Sequence, residues 1–255
     1  MFKGIQETDA KDLILFILET IHNELNLVNS NINGNNILLN PLDYNSVFAN
    51  FSEFFRKNYN SIISNLFYGM NNTMMACCTC RKTIHNIQCF NILIFSLEDV
   101  INYKGYNQNI INIYDCFDFN QKQDFMIDDN QINCSYCHRL SNYIIQTKII
   151  ICPNVLILYL NREKKLNYDV KLDFSEFLEI KKYIFYSVSP HYYELVGVIS
   201  HLDDSDKNGN SIAFCRNSEN CKWYKFNDAI VTESNIQEVL NFGVPDVLFY
   251  NCVKC

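Results

Sequence analysis

The sequence predicts an α+β protein: a helical front, then a sheet region pinned by a metal, then a larger sheet. Three observations carry this. Up to Phe55 the apolar residues recur at helical spacing. Beyond Asn72 the apolar period falls to two. Between these regimes stand two Cys-x-x-Cys pairs, Cys77/Cys80 and Cys134/Cys137, one at each end of a β-rich stretch.

From Thr8 to Leu25 the residues Ala10, Leu13, Ile14, Ile17, Leu18, Ile21 and Leu25 fall at three- and four-residue steps. Thr8 is the expected cap, and Asp9 and Asp12 sit in the first turn, where the helix dipole favours carboxylates. His22 follows core-facing Ile21 and reads as a surface side chain. An Asn/Gly loop around Asn31 to Asn36 leads to a second helical pattern through Tyr44, Val47, Phe48, Phe51, Phe54 and Phe55.

Strands are expected at 86–97, 144–151, 155–161, 168–174, 193–201, 211–217, 222–226 and 247–250, with Asn- and Asp-rich loops between them. Tyr168, Val170, Leu172 and Phe174 alternate with Asp169, Lys171 and Asp173, the signature of a half-buried strand. The apolar run Ile149 to Leu160 is too short to cross a bilayer and is broken by Pro153, so it reads as two buried strands. There is no internal repeat, and the longest linker is the 201–210 loop.

Each Cys-x-x-Cys gap lets two thiolates converge on one cation from a tight turn. Two such turns supply the four sulfurs of a tetrahedral structural zinc, whereas the alternative is a set of buried thiols in a cysteine-rich chain. A closed shell of this kind clamps the chain and does no chemistry. Cys78 lies between ligands and is expected to point away; His138, next to a ligand, is expected in solvent or behind the ligand shell. Cys252 and Cys255 form a third pair at the terminus, read as a frayed tail.

At 255 residues and 48% hydrophobic content the chain can bury a sizeable core. Twelve cysteines, with no signal peptide or membrane-length apolar span, point to a reducing compartment, cytosol or nucleus. A net charge of -7 argues against nucleic acid as the main partner and is compatible with a basic one.

Several stretches resemble the ubiquitin-specific protease family of papain-like cysteine peptidases, which remove ubiquitin. QETDAKDLILFILETIHNELN, Gln6 to Asn26, resembles the family's Gln-x-Asp-Ala-x-Glu-Phe-Leu helix, with Asp12 and Leu13 in place of Glu-Phe. SIISNLFYG, Ser61 to Gly69, resembles the approach to the first zinc knuckle. The four paired cysteines match the family's zinc ligands, and PNVLILYLNR, Pro153 to Arg162, resembles a Pro-x-x-Leu-x-x-x-Leu-x-Arg strand. Tyr193 to Tyr250 resembles the C-terminal box through Tyr193-Glu194-Leu195, His201, Ser211 to Arg216, Trp223, Phe226-Asn227-Asp228 and Leu248-Phe249-Tyr250. The resemblance implies one domain over 1–255: a truncated helical thumb (1–70), zinc-ribbon fingers (71–150) and a palm sheet (151–255). Trp223 is then a core marker of the palm.

The family's chemistry needs a thiolate, a histidine to take its proton and an Asp or Asn to orient that histidine. Of these the resemblance leaves only the third, at Asp228. The family's Cys box precedes the Gln-x-Asp-Ala helix, and no cysteine precedes Cys77. The histidine position is occupied by Asn210, whose amide is no base near neutral pH. His201 is a candidate substitute on the far side of the 201–210 loop. Cys215 reads as a small residue alternating into the core rather than a nucleophile.

The resemblance therefore implies a deubiquitinase-family domain that has lost its catalysts and acts by binding ubiquitin or its chains. Asp9 is the residue carried over for contact with ubiquitin's basic tail. Two alternatives stand beside it: an active enzyme whose Cys box lies upstream of this start, and a zinc-stabilised scaffold for another protein. A thumb without its first helix should leave apolar faces of the Thr8–Leu25 and Tyr44–Phe55 helices open to water, to be covered by an upstream segment or a partner chain.

Overall fold

A computed structural model describes residues 10–28, 44–105, 110–162, 170–185, 191–201 and 211–253. Asp9, Asn210 and Cys255, the Thr8 cap and the Asn31 to Asn36 loop lie outside the described residues, as does the 201–210 loop beyond His201. The chain runs α1 (Ala10–Leu25), α2 (Tyr44–Asn58), α3 (Ile62–Phe67), β1 (Gly69–Cys77), β2 (Thr83–Phe90), β3 (Leu93–Ser96), α4 (Leu97–Lys104), β4 (Ile110–Asn112), α5 (Ile113–Asn120), β5 (Asp124–Met126), β6 (Ile132–Asn133) and β7 (Leu140–Ser141). It continues with β8 (Tyr143–Ile151), β9 (Val155–Asn161), β10 (Lys171–Asp173), β11 (Phe177–Glu179), β12 (Tyr192–His201), β13 (Ser211–Arg216), β14 (Trp223–Asn227), β15 (Ile230–Ser234), α6 (Ile236–Asn241) and β16 (Val244–Cys252). The α+β class and the order helices, cysteine-bearing sheet, larger sheet are as expected.

The larger sheet has eight strands in the order β15-β14-β13-β12-β16-β9-β3, with β11 also paired to β12. Its centre explains the long apolar run. On β9, Leu156, Leu158 and Leu160 face the main core, while Ile157 faces a second cluster with Leu18, Ile63, Ile92 and Val247. A strand covered on both faces has no polar side to alternate with. The expected division at Pro153 separates β8 from β9.

The cysteine-bearing sheet is antiparallel, ordered β2-β1-β8-β5. β1 pairs with β8 from Met70 through Cys77, which sets Cys77 opposite Tyr143 at the sheet's far end. The expected strand 86–97 is two strands, because Asn91 and Ile92 turn the chain from β2 in this sheet to β3 in the larger one. The expected 168–174 strand shortens, among the described residues, to β10.

The helical front packs differently from its predicted stripe. His22 is buried, not a surface residue: its Nδ1 lies 2.6 Å from Ser61 Oγ, and its ring packs against those of Tyr59 and Tyr68, which also touch each other. Ser61 caps α3 in a reciprocal capping box with Ser64, so the His22 contact ties α1 to the start of α3. The inward face of α1 is Ala10, Ile14, Leu15, Leu18 and His22. Ile21, expected to face the core, is exposed together with Leu13, Ile17 and Leu25. Of the two apolar faces expected to be open, only that of α1 is. On α2, Val47 is buried and Phe48, Phe51 and Phe55 pack on Met70, Ile87 and Ile150.

Two cysteine readings also change. Cys215 is exposed rather than inward, since Ile212 and Phe214 take the buried positions of β13. Cys252 is not frayed; it ends β16, pairs with Tyr193 and packs against the main core.

Candidate functional site

The two cysteine turns share one backbone design. The Cys77 N–H donates to Lys82 O (3.0 Å) and the Arg81 N–H to Cys77 O (2.9 Å); the Cys134 N–H donates to Arg139 O (2.9 Å) and the His138 N–H to Cys134 O (2.8 Å). Each turn closes through a residue of positive φ, Arg81 at 60° and His138 at 53°. The Cys78 N–H bonds to Asn142 O (2.9 Å), and the Thr79 hydroxyl donates to Ser141 Oγ (2.9 Å), so the turns are laced together.

The outcome is a four-sulfur cluster: the Sγ atoms of Cys77, Cys80, Cys134 and Cys137 all lie within 4.8 Å of one another. Sulfurs at tetrahedral corners 2.3 Å from a zinc ion are separated by about 3.8 Å, and Cys80 and Cys134 stand 3.7 Å apart. The donor set fits a metal of zinc's size and softness. Cys78 and His138 are outside the cluster, and both are exposed.

The surroundings prepare thiolates. A hydrogen bond from the Tyr143 hydroxyl, helped by the Cys137 and Tyr136 amides, pulls the Cys134 thiol down to about 6. Burial opposes ionisation of Cys77, but the Cys80 amide, the Ser141 hydroxyl and the Thr79 amide outweigh it and lower its pKa. The Lys82 amide favours the Cys80 thiolate, yet burial and the three neighbouring sulfurs raise that thiol to about 11. Like charges this close cannot all ionise without a cation among them.

A third turn, Asn217 to Lys222, repeats the same backbone: the Asn217 N–H donates to Lys222 O and the Cys221 N–H to Asn217 O (both 2.9 Å), with Cys221 at φ 57°. Here the Asn217 side-chain oxygen accepts the Glu219 and Asn220 amides at 2.8 and 3.3 Å, as the first thiolate of each cysteine turn accepts the two amides after it. The fold thus makes such turns without metal, and the thiol pairs set the other two apart.

A second polar cluster lies at one end of the larger sheet. His201 ends β12, Ser211 begins β13, and they are register partners. The His201 Nε2 is 2.9 Å from Asp246 Oδ2, its Nδ1 is 3.4 Å from Ser211 Oγ, and Asp246 Oδ1 is 3.9 Å from Arg162 Nε. Arg162 Nη1 donates to Val170 O (2.6 Å) and Nη2 to Pro245 O (3.1 Å). Gly243 makes the approach of β16 possible: its φ is +53°, and a Cβ there would stand 2.5 Å from the His201 carbonyl. Asp246 went unnoticed in sequence, although a carboxylate within the apolar run Val244 to Tyr250 signals a buried partner.

Asp228 occupies the exposed two-residue turn between β14 and β15, at φ 51°, next to the last ladder pair Asn227↔Ile230. The described contacts of His201 run to Asp246 and Ser211, not to Asp228. Trp223 is buried, as expected. Cys215 is exposed as a residue, but partial desolvation of its sulfur raises the thiol pKa, the opposite of what a nucleophile needs.

Comparison with known proteins agrees with this architecture. The family model described as ubiquitin carboxyl-terminal hydrolase matches residues 1–250. Ubiquitin carboxyl-terminal hydrolase 2 of Gallus gallus is 24% identical over 244 residues, 93% of this chain and 66% of that protein. Ubiquitin carboxyl-terminal hydrolase Usp2 of Drosophila melanogaster is 23% identical over 257 residues, 98% of this chain and 26% of that one. Among solved structures, a yeast SAGA DUBm chain superposes with a TM-score of 0.70 at 26% identity, covering 96% of this chain and 51% of its own. A SAGA DUB module of Ubp8, Sgf11, Sus1 and Sgf73 bound to monoubiquitin gives 0.69 at 25% identity, covering 97% and 49%. The chain spans about half the length of the solved chains it matches. It belongs to the ubiquitin carboxyl-terminal hydrolase family.

Proposed function

We propose that this chain is a ubiquitin-binding domain of the deubiquitinase family that grips ubiquitin without cutting it. The observation that carries the reading is that a solved relative of the same fold, matched over 97% of this chain, is bound to monoubiquitin. On this reading residues 1–70, 71–150 and 151–255 are thumb, fingers and palm, with β3 crossing out of the fingers span to pair with β9 in the palm sheet. One structural zinc held by Cys77, Cys80, Cys134 and Cys137 fixes the fingers. Asp9 meets the basic tail of ubiquitin. Asn210 stands at the histidine position, so Asp228, at the orienting position, has no ring to orient. The proposed setting is cytoplasm or nucleus; among the described residues no helix is long and apolar enough to cross a membrane.

A specific contact favours a second reading. His201 Nε2 lies 2.9 Å from the Asp246 carboxylate, a histidine beside an acid, although the contact does not have the direction of a hydrogen bond. With a thiol nucleophile supplied from outside these residues, His201 would take its proton and the chain would be part of an active thiol-dependent deubiquitinase. The third reading, a zinc-stabilised scaffold for another protein, is supported by the solved modules, which contain other subunits.

A biosensor carrying immobilised ubiquitin separates the three. Gripping without cutting predicts saturable binding that weakens when Asp9→Arg is introduced, and no covalent adduct when the full-length gene product meets ubiquitin bearing a thiol trap at its C-terminus. Adduct formation favours the enzyme, and absence of binding by folded protein favours the scaffold.

A further inference from the structure

Tyr143 opens β8 opposite Cys77 of β1, and directly opposed residues point to the same face of a sheet. Its ring is 1% exposed and packs in the cluster around the four cysteines, with Met75, Met126, Ile132 and Ile145. From there its hydroxyl donates to the Cys134 sulfur, which belongs to the other turn. One side chain thus links the strand pair that carries Cys77 to the hairpin that carries Cys134.

The other donors around the sulfurs do not duplicate this bond. Backbone amides serve Cys77 and Cys134 alike, two to each. The Ser141 hydroxyl also reaches Cys77, but it lies 3.2 Å from Arg139 O and accepts the Thr79 hydroxyl at 2.9 Å, so its single proton is contested. Tyr136 packs against the same cluster, yet its hydroxyl makes no hydrogen bond among the described residues. Four thiolates on a divalent cation carry a net negative charge, and Cys77 and Cys134, 2% and 1% exposed, are shut off from the water that would solvate it.

From this placement we propose that Tyr143 is a positioning residue of the metal site: its hydroxyl fixes the Cys134 sulfur at the ion, takes up part of the excess charge, and so sets how tightly the metal is held. Hydrogen-bonding partners behind metal ligands are worth about 10–100-fold in affinity. The role rests on the four sulfurs holding a divalent ion, as proposed above, and not on ubiquitin recognition.

Tyr143→Phe removes the hydroxyl and keeps the ring, with Tyr136→Phe as the matched control. Zinc affinity of the 255-residue chain is read by competition with a chromophoric chelator, and the thiolate-to-metal charge-transfer band is read after cobalt(II) replaces zinc. Tyr143→Phe should weaken zinc binding at least about tenfold and move the band to longer wavelength, because a sulfur that loses a hydrogen bond releases its electrons more easily. Tyr136→Phe should change neither. Lost packing alone would not move the band of the metal that stays bound, and unchanged circular dichroism of the loaded variants establishes that both fold. Unchanged affinity, an unmoved band, or the same changes in Tyr136→Phe would overturn the role of the hydroxyl. Metal uptake by the unaltered chain is measured first, and its absence would overturn the metal site and this role together.

Discussion

The Asp246 carboxylate on β16 stands 2.9 Å from the ring of His201 on the neighbouring β12, with the Arg162 guanidinium 3.9 Å away on its other side. The three side chains are 12%, 30% and 7% exposed, so the carboxylate is the anion between two groups able to carry positive charge. Replacing it with a neutral side chain takes one anion away from beside the buried Arg162 guanidinium. Asp246→Ala should therefore cost about 1–3 kcal/mol in denaturant unfolding. The guanidinium keeps the Val170 and Pro245 carbonyls, which holds the cost below that of a fully stripped ion. An unchanged midpoint would show that the cluster contributes nothing to the fold.

The four-sulfur cluster predicts one zinc per chain by elemental analysis. Cys80→Ser should abolish it, and chelation should unfold the cysteine-bearing sheet, because ligand set and fold form together. The β6–β7 hairpin and both turns have little apolar core beyond Met75, Met126, Ile132, Tyr136, Tyr143 and Ile145, so a bound metal would carry much of their stability. Full resistance of the circular dichroism spectrum to chelator would contradict this.

Burial lowers the pKa of His22, held against Ser61 and beside the rings of Tyr59 and Tyr68. The unfolded chain takes up this proton near pH 6.5, while the folded chain does so only at lower pH. As pH falls below about 6.5 the unfolded state binds the extra proton, so stability drops until the folded pKa is passed and then levels off. His85 is lowered by burial too and adds a slope of the same sign. His22→Gln should remove part of the slope of unfolding free energy against pH. An identical slope would place His22 in water.

Gly243 permits the turn into β16 at φ +53°, against the His201 carbonyl. Gly243→Ala adds both a left-handed strain and a 2.5 Å clash, so it should destabilise by more than about 1 kcal/mol. Gly105→Ala, also at positive φ (+67°) but with nothing within 4 Å of the new Cβ, should cost less. Equal losses would remove the clash from the account.

Much of the architecture was legible because it rests on local spacing. Paired cysteines close turns of fixed length, and β9 runs over the predicted residues because Pro153 and a doubly buried apolar run mark it. β1 was not legible. Its centre replaces apolar alternation with cross-strand polar pairs, Asn72 with His85 (3.0 Å) and Thr73 with Thr147 (2.9 Å), and neither residue of a pair reveals its partner. His22 misled because a histidine beside an apolar ridge looks solvated until Ser61, 39 residues away, supplies its hydrogen bond. Asp246 and His201, 45 positions apart, are likewise joined only by strand order.

The central proposal is that this fold recognises ubiquitin when its four-cysteine cluster holds zinc. Calorimetric titration of ubiquitin into the zinc-loaded 255-residue chain tests it most directly. The account predicts a saturable one-to-one isotherm that disappears when chelation unfolds the cysteine-bearing sheet. A flat thermogram from protein shown to be folded and zinc-loaded would contradict it.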